Sequence, residues 1–155
     1  TAETIGMAQR GGSVTSHVRL GEGVYAPLIP KGRADALLGF EPGEAVRSLA
    51  YLRADGVAVV STRGIQPSAG GGYEPDAALR YLRDVCPRAV TVDAEAVFRA
   101  CGSYRSLNIA ILGAASRCGA LDFTLGELEA AMRALMSEKN AAASLSALRL
   151  DGVTA

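Results

Sequence analysis

The sequence predicts an α/β fold of three layers, α/β/α, with helices on both faces of a mixed, mostly parallel sheet. Three observations carry that expectation. Short β-branched runs alternate with longer stretches of helical apolar spacing, the pattern of strand–helix–strand units. The run Val57-Ala58-Val59-Val60 has no polar alternation, as in a strand covered on both faces. Helix start and stop residues punctuate the second half, with Asp93 and Thr124 at starts and Gly102 at an end.

Taken in order, Val14 to Leu20 reads as a strand and Gly21-Glu22-Gly23 as a tight turn. Val24 to Leu28 is its hairpin partner, stopped by Pro27 and Pro30. This hairpin is expected to add antiparallel strands to the otherwise parallel sheet. Ala36 to Phe40 is a second apolar run, followed by Glu41-Pro42. A helix from about Gly43 to Arg53 sets Ala45, Val46, Leu49 and Leu52 on one face and closes at Gly56. After the strand at Val57, the stretch Ser61 to Pro75 has loop composition. Asp76 to Val85 is a short amphipathic helix with Leu79, Leu82 and Val85 inward, and Ala89 to Val92 is the next strand. Asp93 caps a helix ending at Cys101, with Gly102 as terminator. Leu107 to Ser116 is apolar nearly all round and reads as a buried helix. Thr124-Leu125-Gly126-Glu127 is a capping box whose helix carries the stripe Leu128, Met132, Leu135 and Met136, and a last helix runs from about Ser137 to Leu148.

A chain of 155 residues reads as a single domain, 1–155, large enough to bury roughly 70% of its unfolded surface. Hydrophobic residues make up 49% and charged ones 21%, which argues against disorder. Sixteen Lys and Arg balance sixteen Asp and Glu, removing the electrostatic footprint of a nucleic-acid binder. Cys86, Cys101 and Cys118 have no C-x-x-C pair among them, and His17 is the one histidine, so no metal site is expected from this chain. An odd count of few cysteines fits a reducing compartment, and no apolar run is long enough to span a membrane. A soluble cytoplasmic protein is the expectation.

The richest stretch chemically is Gly6-Met7-Ala8-Gln9-Arg10-Gly11-Gly12-Ser13-Val14. Paired glycines let successive N–H groups converge on an anion, and Arg10 offers a forked donor to phosphate or carboxylate. The plainer reading is that Gly11-Gly12 only turns the chain into a strand. The stretch matches neither phosphate-loop nor dinucleotide fingerprints. Glu41, at the end of an apolar strand, stands where open α/β sheets place ligand contacts, or else caps the helix after Pro42. Asn108 is expected to be a hydrogen-bonded core amide and His17 a structural residue. Gly64 to Tyr73 is either an ordinary connection or a lid. No nucleophile–base pair emerges, so no catalytic residue is assigned.

The order of these pieces resembles a known family. Gly6 to Val14, then Ser16-His17-Val18-Arg19, Pro27-Leu28-Ile29-Pro30-Lys31-Gly32, Ala34-Asp35 and Phe40-Glu41-Pro42 look like the beta-subunit family of indolepyruvate ferredoxin oxidoreductases. That family belongs to the gamma-domain 2-oxoacid ferredoxin oxidoreductases. Thr62-Arg63, Val92-Asp93-Ala94 and Asn108 to Ala114 continue the match in order, over Thr1 to about Asn140. The resemblance implies an accessory subunit without catalytic cofactors of its own. A partner alpha subunit would carry thiamine diphosphate and iron–sulfur clusters, with coenzyme A as co-substrate, ferredoxin as acceptor and indolepyruvate or another arylpyruvate as oxoacid. It implies a substrate- or coenzyme-A-facing loop of Gln9, Arg10, Gly11, Gly12 and Ser13, with Glu41, Thr62 and Asn108 touching the ligand or supporting residues that do. Family members open with a strand, a Gly-rich loop and a helix before the residues at which this sequence begins. A non-catalytic module of the same fold, holding a phosphate-bearing ligand or a partner chain, is the alternative.

Overall fold

A computed structural model describes residues 1–4, 13–66, 72–151 and 153–154. Its centre is a four-stranded sheet of β3 (Ala34–Gly39), β4 (Leu52–Ser61), β5 (Ala89–Val92) and β6 (Val153–Thr154), in that spatial order. β3, β4 and β5 are parallel, and β6 lies antiparallel to β5 with Val92 opposite Val153. The successive residues of β4 explain the layering. Ala58 and Val60 point into a core with Ala45 of α1 (Pro42–Ser48) and Leu79 and Leu82 of α2 (Pro75–Val85). Val57 and Val59 point the other way, into a core with Val97 of α3 (Ala94–Cys101) and Ala110, Ile111 and Ala114 of α4 (Leu107–Arg117). Both faces are covered, so a strand of continuous apolar residues satisfies both. The α/β/α layering and the mixed sheet are as the sequence predicts.

The antiparallel element comes from elsewhere than expected. Val14 to Leu20 and Val24 to Leu28 do not form a hairpin. Instead β2 (Thr15–His17) pairs with β1 (Ala2–Thr4) in a separate two-stranded sheet, His17 opposite Ala2. The backbone of residues 18–33 is tied by side chains: the Arg19 guanidinium donates to the Ala26 carbonyl at 2.7 Å, and His17 Nδ1 accepts from the Ile29 N–H at 3.1 Å. Further on, the Gly32 and Arg33 N–H groups donate to the Ala50 and Tyr51 carbonyls.

The helix expected over Gly43–Arg53 also ends early. α1 stops at Ser48, a 3-10 turn covers Leu49–Tyr51, and Leu52 already belongs to β4. Leu52 continues the helical stripe in sequence, but it takes a place opposite Ala34 in the sheet. Gly56 is therefore a strand residue and not a helix terminator. A Cβ there would lie 2.6 Å from Leu52 Cδ1, so glycine lets that side chain fold over the strand. Three outward residues correct the predicted stripes: Val85 is about half exposed, Leu135 lies almost wholly in solvent and Met136 is exposed as well. Val85 and Leu135 are the last residues of their helices, and Met136 is the C-cap of its helix.

Elsewhere the local signals hold. Asp93 Oδ1 accepts from the Glu95 and Ala96 N–H groups, and Gly102 takes the left-handed conformation at φ 68°. Thr124 and Glu127 form the reciprocal capping box of α5 (Leu125–Leu135). α6 (Glu138–Leu148) crosses α4 so closely that a Cβ on Gly113 would sit 2.1 Å from the Leu148 carbonyl oxygen. Arg117 then donates to the carbonyls of Leu148 and Leu150 at 2.7 and 2.6 Å, satisfying the end of α6 just before β6.

Candidate functional site

The carboxyl ends of β3, β4 and β5 gather Glu41, Thr62 and Asp93, the edge at which open α/β sheets present ligand contacts. α1 approaches β3 closely because Gly39 has no side chain: a Cβ there would meet that of Ala45 at 2.7 Å. Glu41, only 9% exposed, caps α1 by accepting the Glu44 N–H on Oε2 at 2.8 Å. Its other oxygen accepts the hydroxyl of Tyr73, and that hydroxyl in turn accepts the Gly43 N–H at 2.9 Å. Glu41 is thus both a cap and a residue at the sheet's carboxyl edge; the two readings left open by the sequence coincide.

Tyr73 was not singled out in the sequence. It is the one aromatic residue in the glycine-rich stretch between β4 and α2, and that isolation is the signal that marks it. Burial, reinforced by the bond to the Glu41 carboxylate, pushes its hydroxyl up to about 12, so the proton stays on the phenol at neutral pH. Glu44 extends the network. It accepts from the Arg47 guanidinium and from the Ser13 hydroxyl, and the hydrogen bond from Arg47 is the main reason its carboxyl is held below the usual range. Ser13 is the member of the predicted loop that the structure describes. Its bond to Glu44 brings the end of that loop to the first turn of α1. Gln9, Arg10, Gly11 and Gly12 lie outside the described residues.

Thr62 leaves β4 with its N–H on the Val92 carbonyl at 3.0 Å, and its Oγ1 accepts the Ala94 N–H at 3.1 Å. It therefore braces the start of α3 alongside Asp93. Beside it, the Arg63 guanidinium stacks over the Tyr104 ring at 4.2 Å, and Phe98 stacks on the same ring at 4.8 Å. Asn108 does not join this edge. It is exposed in the first turn of α4, in the opposite helical layer from α1, and its Oδ1 accepts the Ile109 N–H. The expectation of a core amide fails because the buried stripe of α4 runs through Leu107, Ala110, Ile111 and Ala114, and Asn108 stands about 100° round from it. His17 is nearly buried, edge-on to Tyr51, and serves the structural part expected of it.

The chemistry available follows from who is already bonded. At α1 the Gly43, Glu44 and Ala45 N–H groups go to Tyr73, the Glu41 side chain and the Glu41 carbonyl. At α3 the Ala94, Glu95 and Ala96 N–H groups go to Thr62 and Asp93. Both helix starts are closed to a ligand anion by their caps together with Tyr73 and Thr62. Among the described residues no group of three His, Cys, Asp or Glu side chains is placed to hold a metal ion. The sheet separates Cys86, packed with α1 and α2, from Cys101 and Cys118, which pack against the opposite core. Among the described residues the edge carries a carboxylate–phenol–guanidinium network without a nucleophile–base pair.

Residues 1–150 match the family described as pyruvate ferredoxin/flavodoxin oxidoreductase. The chain belongs to that family. Within this oxidoreductase family, it is similar to the indolepyruvate oxidoreductase subunit IorB of Archaeoglobus fulgidus, with 39% identity over 97% of this chain and 77% of the relative. The protein of the same name from Thermococcus kodakarensis is 32% identical over 96% of this chain and 76% of its own length. A third, from Methanothermobacter thermautotrophicus, is 37% identical over 74% of this chain and 61% of its length. No helix of this oxidoreductase domain, among the described residues, is long and apolar enough to cross a membrane.

Proposed function

We propose that this chain is the accessory subunit of a thiamine-diphosphate-dependent 2-oxoacid:ferredoxin oxidoreductase of the cytoplasm, acting on indolepyruvate and other arylpyruvates. In the proposed reaction the oxoacid is oxidatively decarboxylated to its acyl-coenzyme A with reduction of ferredoxin. The observation that carries the reading is the anchorage of Ser13 on Glu44, which sets the end of the Gln9–Ser13 segment at the carboxyl edge of the sheet. Family membership and the printed names of the relatives support it. In the partner alpha subunit, thiamine diphosphate supplies the decarboxylation, and iron–sulfur clusters the route for electrons. This chain binds and orients. Arg10 donates its fork to a phosphate of coenzyme A or the carboxylate of the oxoacid, and Ser13, tied to Glu44, fixes where the loop ends. The described edge carries Glu41, Glu44 and Asp93 against Arg47 and Arg63, with the Arg63 guanidinium over the Tyr104 ring, so anion recognition is assigned to Arg10. With three Phe, five Tyr and no Trp, the chain is poorly supplied to enclose an aromatic side chain, which supports a pocket built mostly by the partner.

The test is the complex reconstituted with its alpha subunit, with a viologen dye as electron acceptor. Burying the larger apolar side chain contributes about 1.5–3 kcal/mol, so kcat/KM for indolepyruvate should exceed that for pyruvate by roughly ten- to a hundredfold. A preference for pyruvate overturns the substrate assignment, and activity with neither overturns the accessory-subunit reading in favour of a scaffold. Arg10→Ala should weaken apparent affinity for coenzyme A or the oxoacid by about tenfold or more, and Arg10→Lys should recover it in part.

A further inference from the structure

The chain leaves the carboxyl ends of β4 and β5 toward opposite faces of the sheet. From β4 it runs on to α2, which packs with Ala58 and Val60, and from β5 it turns into α3, which packs with Val57 and Val59. Adjacent parallel strands whose connections diverge in this way form the switch point at which open α/β sheets bind ligands. Thr62 bridges the two strand ends through its bonds to Val92 and Ala94, and Arg63 is the next residue out.

Arg63 is held on both sides in the chain and along its side chain. Its backbone N–H donates to Oγ of the wholly buried Ser61 at 3.0 Å. Gly64 follows, packed so closely on the start of α2 that a Cβ would meet Pro75 Cγ at 2.1 Å. The guanidinium carbon lies 4.2 Å from the centre of the Tyr104 ring, which stacks with Phe98 and donates its hydroxyl to Glu95. A guanidinium resting on a ring keeps its N–H donors in its own plane, so the stack orients the fork without consuming its hydrogen bonds. A donor oriented in advance loses less conformational entropy when a ligand arrives.

The neighbouring charges are already matched. Arg47 bonds Glu44, and Arg99 bonds Asp93, whose Oδ1 also takes the Glu95 and Ala96 N–H groups. Glu95 in turn takes the Tyr104 hydroxyl. Arg63 is exposed, and its guanidinium makes no ion pair or hydrogen bond with any described residue. With the starts of α1 and α3 capped, that fork is what this edge still offers an anion among the described residues.

We propose that Arg63, braced on Tyr104, binds an oxyanion of a reactant at the carboxyl ends of β4 and β5: a phosphate of coenzyme A or the carboxylate of the 2-oxoacid. It is a second contact beside the one assigned to Arg10, and Tyr104 is its positioning residue. The inference rests on the accessory-subunit reading and deepens it by naming where on the described fold a reactant is held.

The test uses the complex reconstituted with its alpha subunit. It reads KM for coenzyme A, for pantetheine as a phosphate-free acyl acceptor and for indolepyruvate, with coenzyme A binding measured directly by titration calorimetry and thermal melting as a control. Arg63→Ala should raise KM for one oxyanion-bearing reactant by about tenfold or more and leave the melting curve unchanged. Arg63→Lys should restore only part of that loss, because a point charge cannot supply the fork, and Tyr104→Leu, which removes the support and keeps the arginine, should cause a smaller one. A loss seen with coenzyme A in both KM and calorimetry, and absent with pantetheine, identifies the phosphate as the group bound. A loss confined to indolepyruvate identifies the carboxylate. Unchanged values for both reactants in Arg63→Ala overturn the proposal and leave the accessory-subunit reading standing. An equal loss with coenzyme A and with pantetheine makes Arg63 a structural residue and overturns the proposal too. If the unaltered complex neither binds coenzyme A nor reduces the viologen dye, the accessory-subunit reading fails, and the assignment of Arg63 with it.

Discussion

β4 and the arm of residues 14–28 are both rich in β-branched and other apolar residues, yet their fates are opposite. Val57 to Val60 are almost completely removed from solvent between two helical layers, whereas Val18, Leu20, Tyr25 and Leu28 face outward. The difference lies in what each segment pairs with. Over Ala58 to Val60, β4 has strand neighbours on both sides and helices on both faces, so these apolar side chains are buried within the chain. In the arm, His17 and Arg19 bond within the chain while the apolar side chains face solvent. The first segment builds the core, and the second does not.

Substitutions that shorten apolar side chains should expose that contrast. Ile111→Ala, in the wholly buried core that packs on Val57 and Val59, should cost about 2–5 kcal/mol of stability in urea unfolding. A cost below about 1 kcal/mol would mean that this core is not the main support of the fold. Tyr73→Phe lies between the extremes. It leaves the nearly buried Glu41 carboxylate short of a donor and the Gly43 N–H without its acceptor, and should cost about 1–3 kcal/mol. Because the folded-state hydroxyl is raised to about 12 from an ordinary 10, the stability it contributes is complete below about pH 10 and is lost as pH rises through 12. The gap between wild type and Tyr73→Phe should therefore close between those values. A gap that stays constant over that range would show that the Tyr73–Glu41 bond does not govern the edge. Tyr25→Ala should have the smallest effect on stability, within about 0.5 kcal/mol, and a loss above 1 kcal/mol would place Tyr25 in an intramolecular contact.

How much of this was legible beforehand depends on whether the signal is local. Asp93, Gly102 and Thr124 act on backbone groups within a turn of themselves, and the sequence predicts their helices' ends closely. Val57 to Val60 is legible because coverage on two faces removes polar alternation. The end of α1 is not, because Leu52 fits the helical period as well as it fits β4, and only its register with Ala34 decides. β1 and β6 are a few residues each and exist by virtue of pairing with distant strands, which leaves no periodicity to read. The candidate site divides in the same way. Glu41 is visible from its place after an apolar run and before a proline. Its partner Tyr73 stands 32 residues away and Ser13 stands 31 from Glu44, so their meeting is a property of the fold. Asn108 misled because an apolar run of helix hides which of its faces is outermost.

On the proposed reading, this domain completes an enzyme whose cofactors lie in another subunit. The direct measurement is viologen reduction by indolepyruvate and coenzyme A with this chain alone, the alpha subunit alone, and the two mixed. The chain alone should show no activity, the alpha subunit alone little, and the two mixed at equal stoichiometry full activity. An alpha subunit that is fully active alone, with its rate and substrate affinities unchanged by this chain, would contradict that reading.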